Sequence, residues 1–213
     1  MDICTISAPS GLFRGLTEAN AAFFRGIPYA HAGRFERPVP AEFPDGVDCF
    51  AYGAKSIQNP QDMRGPVEGP FSEDCLSLNI VYPKENRTGK PLPVLFDIHG
   101  GAFQTGSGRD SGLFTLVTEE DAQLMVVSIN YRLGALGYLY LKDRLPGCEA
   151  DGNLGMVDQL CALQWVRKNI ASFGGDPENI TLHGVSAGGK SVGAMMLTPK
   201  AKPLFTKAIL SSG

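Results

Sequence analysis

Apolar positions fall into two regimes along this chain, with the change near Leu92. Beyond it, short apolar runs recur, each closed by a turn-forming residue. Pro93 to Ile98 ends at a glycine pair and Leu124 to Ile129 ends at Asn130. A third run starts at Ile180 to His183, and a fourth covers Lys207 to Leu210. Runs this brief, bounded by Gly, Asn or Ser, predict strands buried on both faces of a parallel sheet. Between the second and third runs, Met156, Leu160, Leu163, Val166 and Ile170 recur at helical spacing, predicting one apolar stripe. Asp151 or Asn153 can cap that helix, and Gly174-Gly175 followed by Pro177 stop it. A shorter helix is expected after Ser186, ending by Thr198-Pro199.

Before Leu92 the pattern is weaker. The first thirty residues read as β structure with a turn at Pro9-Ser10-Gly11. Residues 31 to 75 are rich in Pro, Gly and Asp and read as long surface loops. There is no repeat, low-complexity tract or linker, so 1–213 is expected to be one domain. Strand alternating with helix predicts the α/β class, with right-handed crossovers placing the helices on the sheet faces.

Composition narrows the function classes. The chain has 213 residues, 43% hydrophobic and 19% charged, which suits a globular domain with a real core. A net charge of -3 leaves no basic footprint for nucleic acid or an anionic membrane. No apolar run is long enough to span a bilayer. The start, Met1-Asp2-Ile3-Cys4-Thr5, lacks the basic and apolar regions of a signal peptide. Cys4, Cys49, Cys75, Cys148 and Cys161 lie scattered, without C-x-x-C spacing. Neither a disulfide framework nor a zinc site follows. A cytoplasmic protein with reduced thiols and no metal or cofactor is expected.

Two motifs carry chemistry. Gly184-Val185-Ser186-Ala187-Gly188 is a G-x-S-x-G pattern between a β run and a helix-compatible run. Glycines two positions either side of the serine leave room for a sharp turn. That turn raises the Ser186 hydroxyl to a helix N-terminus, where oriented N–H groups favour developing negative charge. The plainer reading is a small serine in a tight turn; the strand before it and the helix after it favour a nucleophile. His99-Gly100-Gly101-Ala102-Phe103 follows the first buried strand, where a glycine-rich loop can present backbone N–H donors to an oxyanion. Gly-Gly after a strand is also just a turn, but the two motifs in this order on successive strand ends are more specific than either alone.

Further segments give the sequence a family likeness. Phe24-Arg25-Gly26-Ile27-Pro28-Tyr29-Ala30, Ser72-Glu73-Asp74-Cys75-Leu76-Ser77-Leu78-Asn79, Asn130-Tyr131-Arg132-Leu133-Gly134, Asp151-Gly152-Asn153-Leu154-Gly155 and Phe173-Gly174-Gly175-Asp176-Pro177 occur in that order. With the elbow and the glycine loop, the chain resembles the type-B carboxylesterases, which include cholinesterases and bacterial p-nitrobenzyl esterases. The resemblance covers essentially the whole chain and implies an α/β-hydrolase fold acting on a small-molecule carboxylic ester. It implies Ser186 as nucleophile and an oxyanion hole from the N–H groups of Gly101, Ala102 and Ala187. It also implies that Glu73, Asp74 and Arg132 belong to buried ion pairs. Cys75 stands where secreted relatives have half of a disulfide. The expected partner near Ser56-Ile57-Gln58 is absent, in keeping with a reducing compartment.

Two departures stand out. Val185 occupies the position before the nucleophile, where this family usually has glutamate. In this fold the triad runs Ser, then acid, then His along the chain, yet the 27 residues after Ser186 hold no His, Asp or Glu. Among the three histidines, His183 is expected to pack in the sheet, His99 to position the oxyanion loop, and His31 to lie in an N-terminal loop. Asp97, Asp110 and Asp158 read as solvated or ion-paired carboxylates. Lys207 to Gly213 reads as a core strand, whose sheet would then have an exposed, aggregation-prone edge. The sequence therefore predicts an N-terminal part of the family architecture. It would hydrolyse esters with a histidine and acid from a second chain or a downstream region, the isolated chain being inactive or nearly so. The competing expectation is an inactive truncated product or a non-catalytic interaction module.

Overall fold

A computed structural model describes residues 2–62, 65–120, 122–144, 146 and 152–213. Its framework is a nine-stranded sheet among the described residues. The strands are β1 (Asp2–Ala8), β2 (Gly11–Glu18), β3 (Ala21–Pro28), β4 (Phe43–Asp48), β5 (Ser77–Pro83), β6 (Leu92–Ile98), β7 (Met125–Ile129), β8 (Gly175–Val185) and β9 (Lys207–Ser211). Their order is β1-β2-β3-β5-β7-β6-β8-β9, with β4 pairing beside β2. The first three form an antiparallel meander, turned at Pro9-Ser10 as its sequence predicts, and β5 joins β3 and β7 antiparallel. β7, β6, β8 and β9 are mutually parallel.

Four helices accompany the sheet among the described residues: α1 (Phe114–Thr118), α2 (Gly134–Tyr138), α3 (Leu154–Asn169) and α4 (Ala187–Leu197). The main core lies on the face that carries Val94, Phe96, Ile98, Ile180 and Leu182, against Leu163, Val166 and Val192 of α3 and α4. Phe13 meets Trp165 edge-on at 5.6 Å, and Phe24 meets Phe173 likewise at 5.0 Å. A smaller core on the other face packs Val117 of α1 over Phe23, Val81 and Val126.

Several details depart from the sequence pattern. The loops expected between 31 and 75 contain β4 and three two-stranded pairs, at 30–31 with 39–40, 55–56 with 71–72, and 61–62 with 65–66. Pro44 and Gly46 inside β4 conceal it, since both interrupt strand patterning. The stripe on α3 is broader than the periodicity suggests. Met156 and Leu160 are only half-buried, whereas Asp158, Gln159, Cys161 and Trp165 are buried, because the helix is also covered by the N-terminal loop and by Arg132. Asn153 takes the N-cap position without a side-chain bond; Asp151 lies outside the described residues. Gly174 ends this segment in the left-handed region, φ 86°. Lys207 to Leu210 forms an edge strand rather than a core strand: Ile209 and Leu210 are 47% and 46% exposed.

The strand order positions the site. From β6 the chain passes to β7 on one side, whereas from β8 it passes through α4 to β9 on the other. Loops leaving the carboxyl ends of β6 and β8 therefore diverge and open a crevice there.

Candidate active site

Both sequence motifs meet at this crevice. Ile98 pairs with Gly184, so the glycine loop after β6 and the elbow after β8 start from adjacent rungs. Ser186 adopts φ 57°, ψ −119°. A non-glycine residue held there costs about 1–3 kcal/mol and needs support from its surroundings. Support comes from the Ser186 N–H, which donates to Ser211 at 2.8 Å, and from its carbonyl, which accepts from the Lys190 N–H at 3.0 Å. The flanking glycines are sterically required. A Cβ on Gly188 would lie 2.0 Å from the Ile98 carbonyl oxygen, and one on Gly184 would lie 2.3 Å from Gly188. Ser186 occupies the N-cap position of α4 but makes no capping bond, so its hydroxyl remains exposed.

The loop after β6 packs directly on this elbow. A Cβ on Gly100 would lie 2.6 Å from the Val185 carbonyl and 3.4 Å from Ser186 Cβ. Gly101, Ala102 and Phe103 follow with φ of 104°, 55° and 58°. The Gly101 carbonyl accepts from the N–H groups of Gln104 and Thr105, both at 2.9 Å. In that tight loop the Gly101 and Ala102 N–H groups bond to no described residue. The Ala187 N–H, at the first position of α4, is likewise one a helix leaves unpaired. Gly101 and Ala102 line the same cleft as Ser186, and Ala187 follows the serine as the first residue of α4.

Other side chains hold the loop. His99 stacks on Tyr131 at 4.4 Å, and its Nδ1 lies 2.7 Å from the Gly100 carbonyl. The Tyr131 hydroxyl donates to the His99 carbonyl at 2.8 Å. Gln58 accepts from the Gly106 N–H at 2.8 Å and donates to its carbonyl at 3.0 Å. His99 therefore orders backbone, as its sequence position suggests. Gln58 had no sequence signal, because its partner is 48 residues away.

The carboxylates resolve into pairs. Asp158 and Arg132 form a buried fork, Nη2–Oδ1 2.6 Å and Nε–Oδ2 2.8 Å. Burial pushes the Asp158 carboxyl upward against the opposing pull of Arg132; burial pulls Arg132 down, but the hydrogen bond and charge of Asp158, with Tyr29 and Cys75, together raise it. Arginine does not deprotonate, and the two-point fork keeps the pair ionised. Asp110 binds the buried Lys55 at 2.8 Å. Glu73 and Asp74 are not buried, contrary to the family-based expectation. Glu73, half-buried, pairs with the exposed Arg34, and the exposed Asp74 lies 3.9 Å from the exposed His31. Asp97 binds His183, Oδ1–Nδ1 2.8 Å, and accepts from the Ser111 hydroxyl at 2.6 Å. His183 does sit in the sheet, yet it faces a cleft of about 850 Å³ that Ser186, Gly100, Gly101 and Ala102 also line.

Cys75 also meets an expectation. Its Sγ is 3.2 Å from the Ser56 hydroxyl, so serine stands where a disulfide partner would reach. Cys4, Cys49, Cys75 and Cys161 are all free thiols.

A crevice at the carboxyl ends of parallel strands, with a strained serine between strand and helix, defines the α/β-hydrolase fold. Comparison with known proteins agrees. Residues 3–213 match the model of the carboxylesterase family, and the chain belongs to that family. It is 42% identical to the para-nitrobenzyl esterase of Bacillus subtilis (strain 168), over 98% of this chain and 43% of that protein. It is 40% identical to the cholinesterase of Mus musculus, over 98% of this chain and 36% of that protein. Among solved structures, a thermophilic PNB esterase superposes with a TM-score of 0.85 at 38% identity, covering 98% of this chain and 44% of that one. A carboxylesterase of Geobacillus stearothermophilus gives 0.84 at 40% identity, covering 98% and 43%. The chain spans less than half the length of these relatives.

Proposed function

We propose that this chain carries the acylation apparatus of a carboxylic ester hydrolase. Ser186 Oγ attacks the ester carbonyl, and the N–H groups of Gly101, Ala102 and Ala187 receive the oxyanion. The observation that carries this reading is the Ser186 backbone, held at φ 57°, ψ −119° with its hydroxyl unspent on capping α4. Strain of this kind persists where the surroundings over-determine it, and here those surroundings are the oxyanion loop and two glycines. Donors in place before reaction need no reorganisation when charge develops, and losing one typically costs about 10²–10³ in rate.

A complete triad would take a histidine and an acid from a second polypeptide or a downstream region. Without them, the oxyanion hole and binding still give a residual rate above water that depends on Ser186. Val185 rather than a carboxylate beside the serine leaves less negative charge to stabilise an imidazolium. The free thiols and the serine opposite Cys75 suit a reducing compartment, and we place the protein in the cytoplasm on that ground. None of the helices among the described residues is long and apolar enough to cross a membrane.

The test is hydrolysis of p-nitrophenyl butyrate by residues 1–213 beside Ser186→Ala, at matched folded fraction by circular dichroism. Release of p-nitrophenol that the substitution removes supports the reading. Equal rates in two folded samples overturn it.

A further inference from the structure

The two N–H donors in the glycine loop are aimed by the carbonyls beside them. A trans peptide is planar, with C=O and N–H pointing in opposite directions, so whatever fixes one fixes the other. The Gly100 carbonyl shares a peptide with the Gly101 N–H, and it faces His99 Nδ1 at 2.7 Å. The Gly101 carbonyl shares a peptide with the Ala102 N–H, and it accepts from the Gln104 and Thr105 N–H groups, both at 2.9 Å. Both donor peptides are therefore oriented from behind, through their carbonyls.

The returning segment of the loop, 104–106, keeps those bonds in place. A Cβ on Gly101 would lie 2.0 Å from the Thr105 carbonyl oxygen. One on Gly106 would lie 2.5 Å from His99 Nδ1 and 2.7 Å from the Gly100 carbonyl oxygen. Gly106, at φ 110°, thus packs onto the bond that orients the Gly101 N–H, with no room for a side chain. Residues 104–106 belong to no helix or strand, so no regular ladder fixes them.

Gln58 supplies the missing rung. Its Oε1 accepts from the Gly106 N–H at 2.8 Å while its Nε2 donates to the Gly106 carbonyl at 3.0 Å. One side-chain amide thereby satisfies both backbone groups of one residue, as a paired strand would. Nε2 also donates to the Ser56 carbonyl at 3.0 Å, which sets the way round that the amide sits. The segment that carries Gln58 is itself tied down near the loop. Ser56 donates through its hydroxyl to the Tyr131 carbonyl, and Lys55 Nζ pairs with Asp110 at 2.8 Å.

We propose that Gln58 is a positioning residue of the oxyanion hole. By clamping Gly106 it fixes the two peptide planes that aim the Gly101 and Ala102 N–H groups at the developing charge. The proposal rests on Ser186 being the nucleophile. Gln58 lies outside the cleft that Ser186, Gly101 and Ala102 line, so it acts through the loop and not on the substrate. Oxyanion stabilisation depends on donors already in place, and a hydrogen bond weakens steeply as its angle closes. Loss of the clamp misaims both donors together while removing neither.

The experiment acetylates residues 1–213 with p-nitrophenyl acetate labelled at the carbonyl carbon, and mass spectrometry locates and times the acetyl group. Infrared difference spectra against unlabelled acetate isolate the acetyl-Ser186 carbonyl band, whose frequency falls as donors bond to its oxygen. Gln58→Met keeps the side chain's length and loses both amide groups. It is expected to slow acetyl-Ser186 formation about tenfold to a hundredfold, up to the scale of losing one donor. The carbonyl band is expected to move to higher frequency in the same variant. Gln58→Glu keeps the acceptor for the Gly106 N–H and loses the donor; it moves rate and band in the same directions and stands in if the methionine variant does not fold. A merely structural role would lower the urea midpoint and leave the band of the folded protein unmoved. A band at the wild-type position in a folded variant therefore overturns the inference, whatever the rate. Absence of acetyl-Ser186 from the wild type, or labelling unaffected by Ser186→Ala, overturns the nucleophile reading and the role of Gln58 with it.

Discussion

Arg132 shows how much one side chain can hold. Besides its fork with Asp158, it donates through Nη1 to the Glu36 carbonyl at 2.7 Å, so it ties α3 and the N-terminal loop to the segment after β7. Removing one member of a buried pair strands the other, and Asp158→Asn should cost about 3–5 kcal/mol in urea denaturation. Glu73→Gln, in a solvated pair, should leave the midpoint nearly unchanged. An equal loss for both would contradict the assignment of burial. The thiols report the same contrast. Burial pushes Cys49 up to about 12 and both Cys75 and Cys161 up to about 11. At pH 8 a thiol with a pKa near 11 is about one part in a thousand thiolate, the form that reacts. Iodoacetamide at that pH should modify half-exposed Cys4 before these three, which should wait until the fold opens, as mass mapping would show.

At the scale of the elements, the elbow depends on contacts that only glycine permits. Gly188→Ala would force a methyl group into the Ile98 carbonyl, separating α4 from β6 and displacing the Ala187 N–H. It should reduce Ser186 acylation by about a hundredfold, the scale of losing an oxyanion donor, with the far-ultraviolet spectrum retained. Wild-type acylation in that variant would argue against the tight turn. This element was legible from residues alone, because a strand, two glycines and a helix are local features. The meander and α3 were legible for the same reason. β5 was not: Ser77–Pro83 is buried along almost its whole length, so no alternation marks it. The Asp97–His183 pair was also out of reach, since it joins residues 86 apart through strand register. The one local sign was a charged residue inside the apolar run Pro93 to Ile98. Spacing placed Leu163 and Val166, with Ile170 at the helix end, on the buried side of α3 but not Asp158, Gln159, Cys161 and Trp165, because Arg132 and the N-terminal loop cover that side from elsewhere.

The two edges of the sheet differ among the described residues. The β1 side folds into a meander reinforced by β4, while β9 closes the other side with half its residues facing solvent. Leu197 and Met196 of α4 are exposed at 81% and 43%, and Ile209 and Leu210 of β9 slightly more than Met196. An apolar edge strand with unpaired backbone groups templates association. Ile209→Lys combined with Leu197→Lys should raise the monomer fraction by light scattering without altering acylation. An already monomeric wild type would contradict this.

The central claim is that Ser186 is a poised nucleophile beside a formed oxyanion hole, and covalent capture tests it most directly. The folded chain would be treated with a fluorophosphonate and mapped by mass spectrometry. The reagent phosphonylates an activated serine with loss of fluoride and leaves a tetrahedral phosphorus whose P=O oxygen mimics the oxyanion. The account predicts one adduct per chain, on Ser186, that is lost in Ser186→Ala and strongly slowed in Gly188→Ala. A folded chain that takes up no reagent, or takes it up elsewhere, would contradict it.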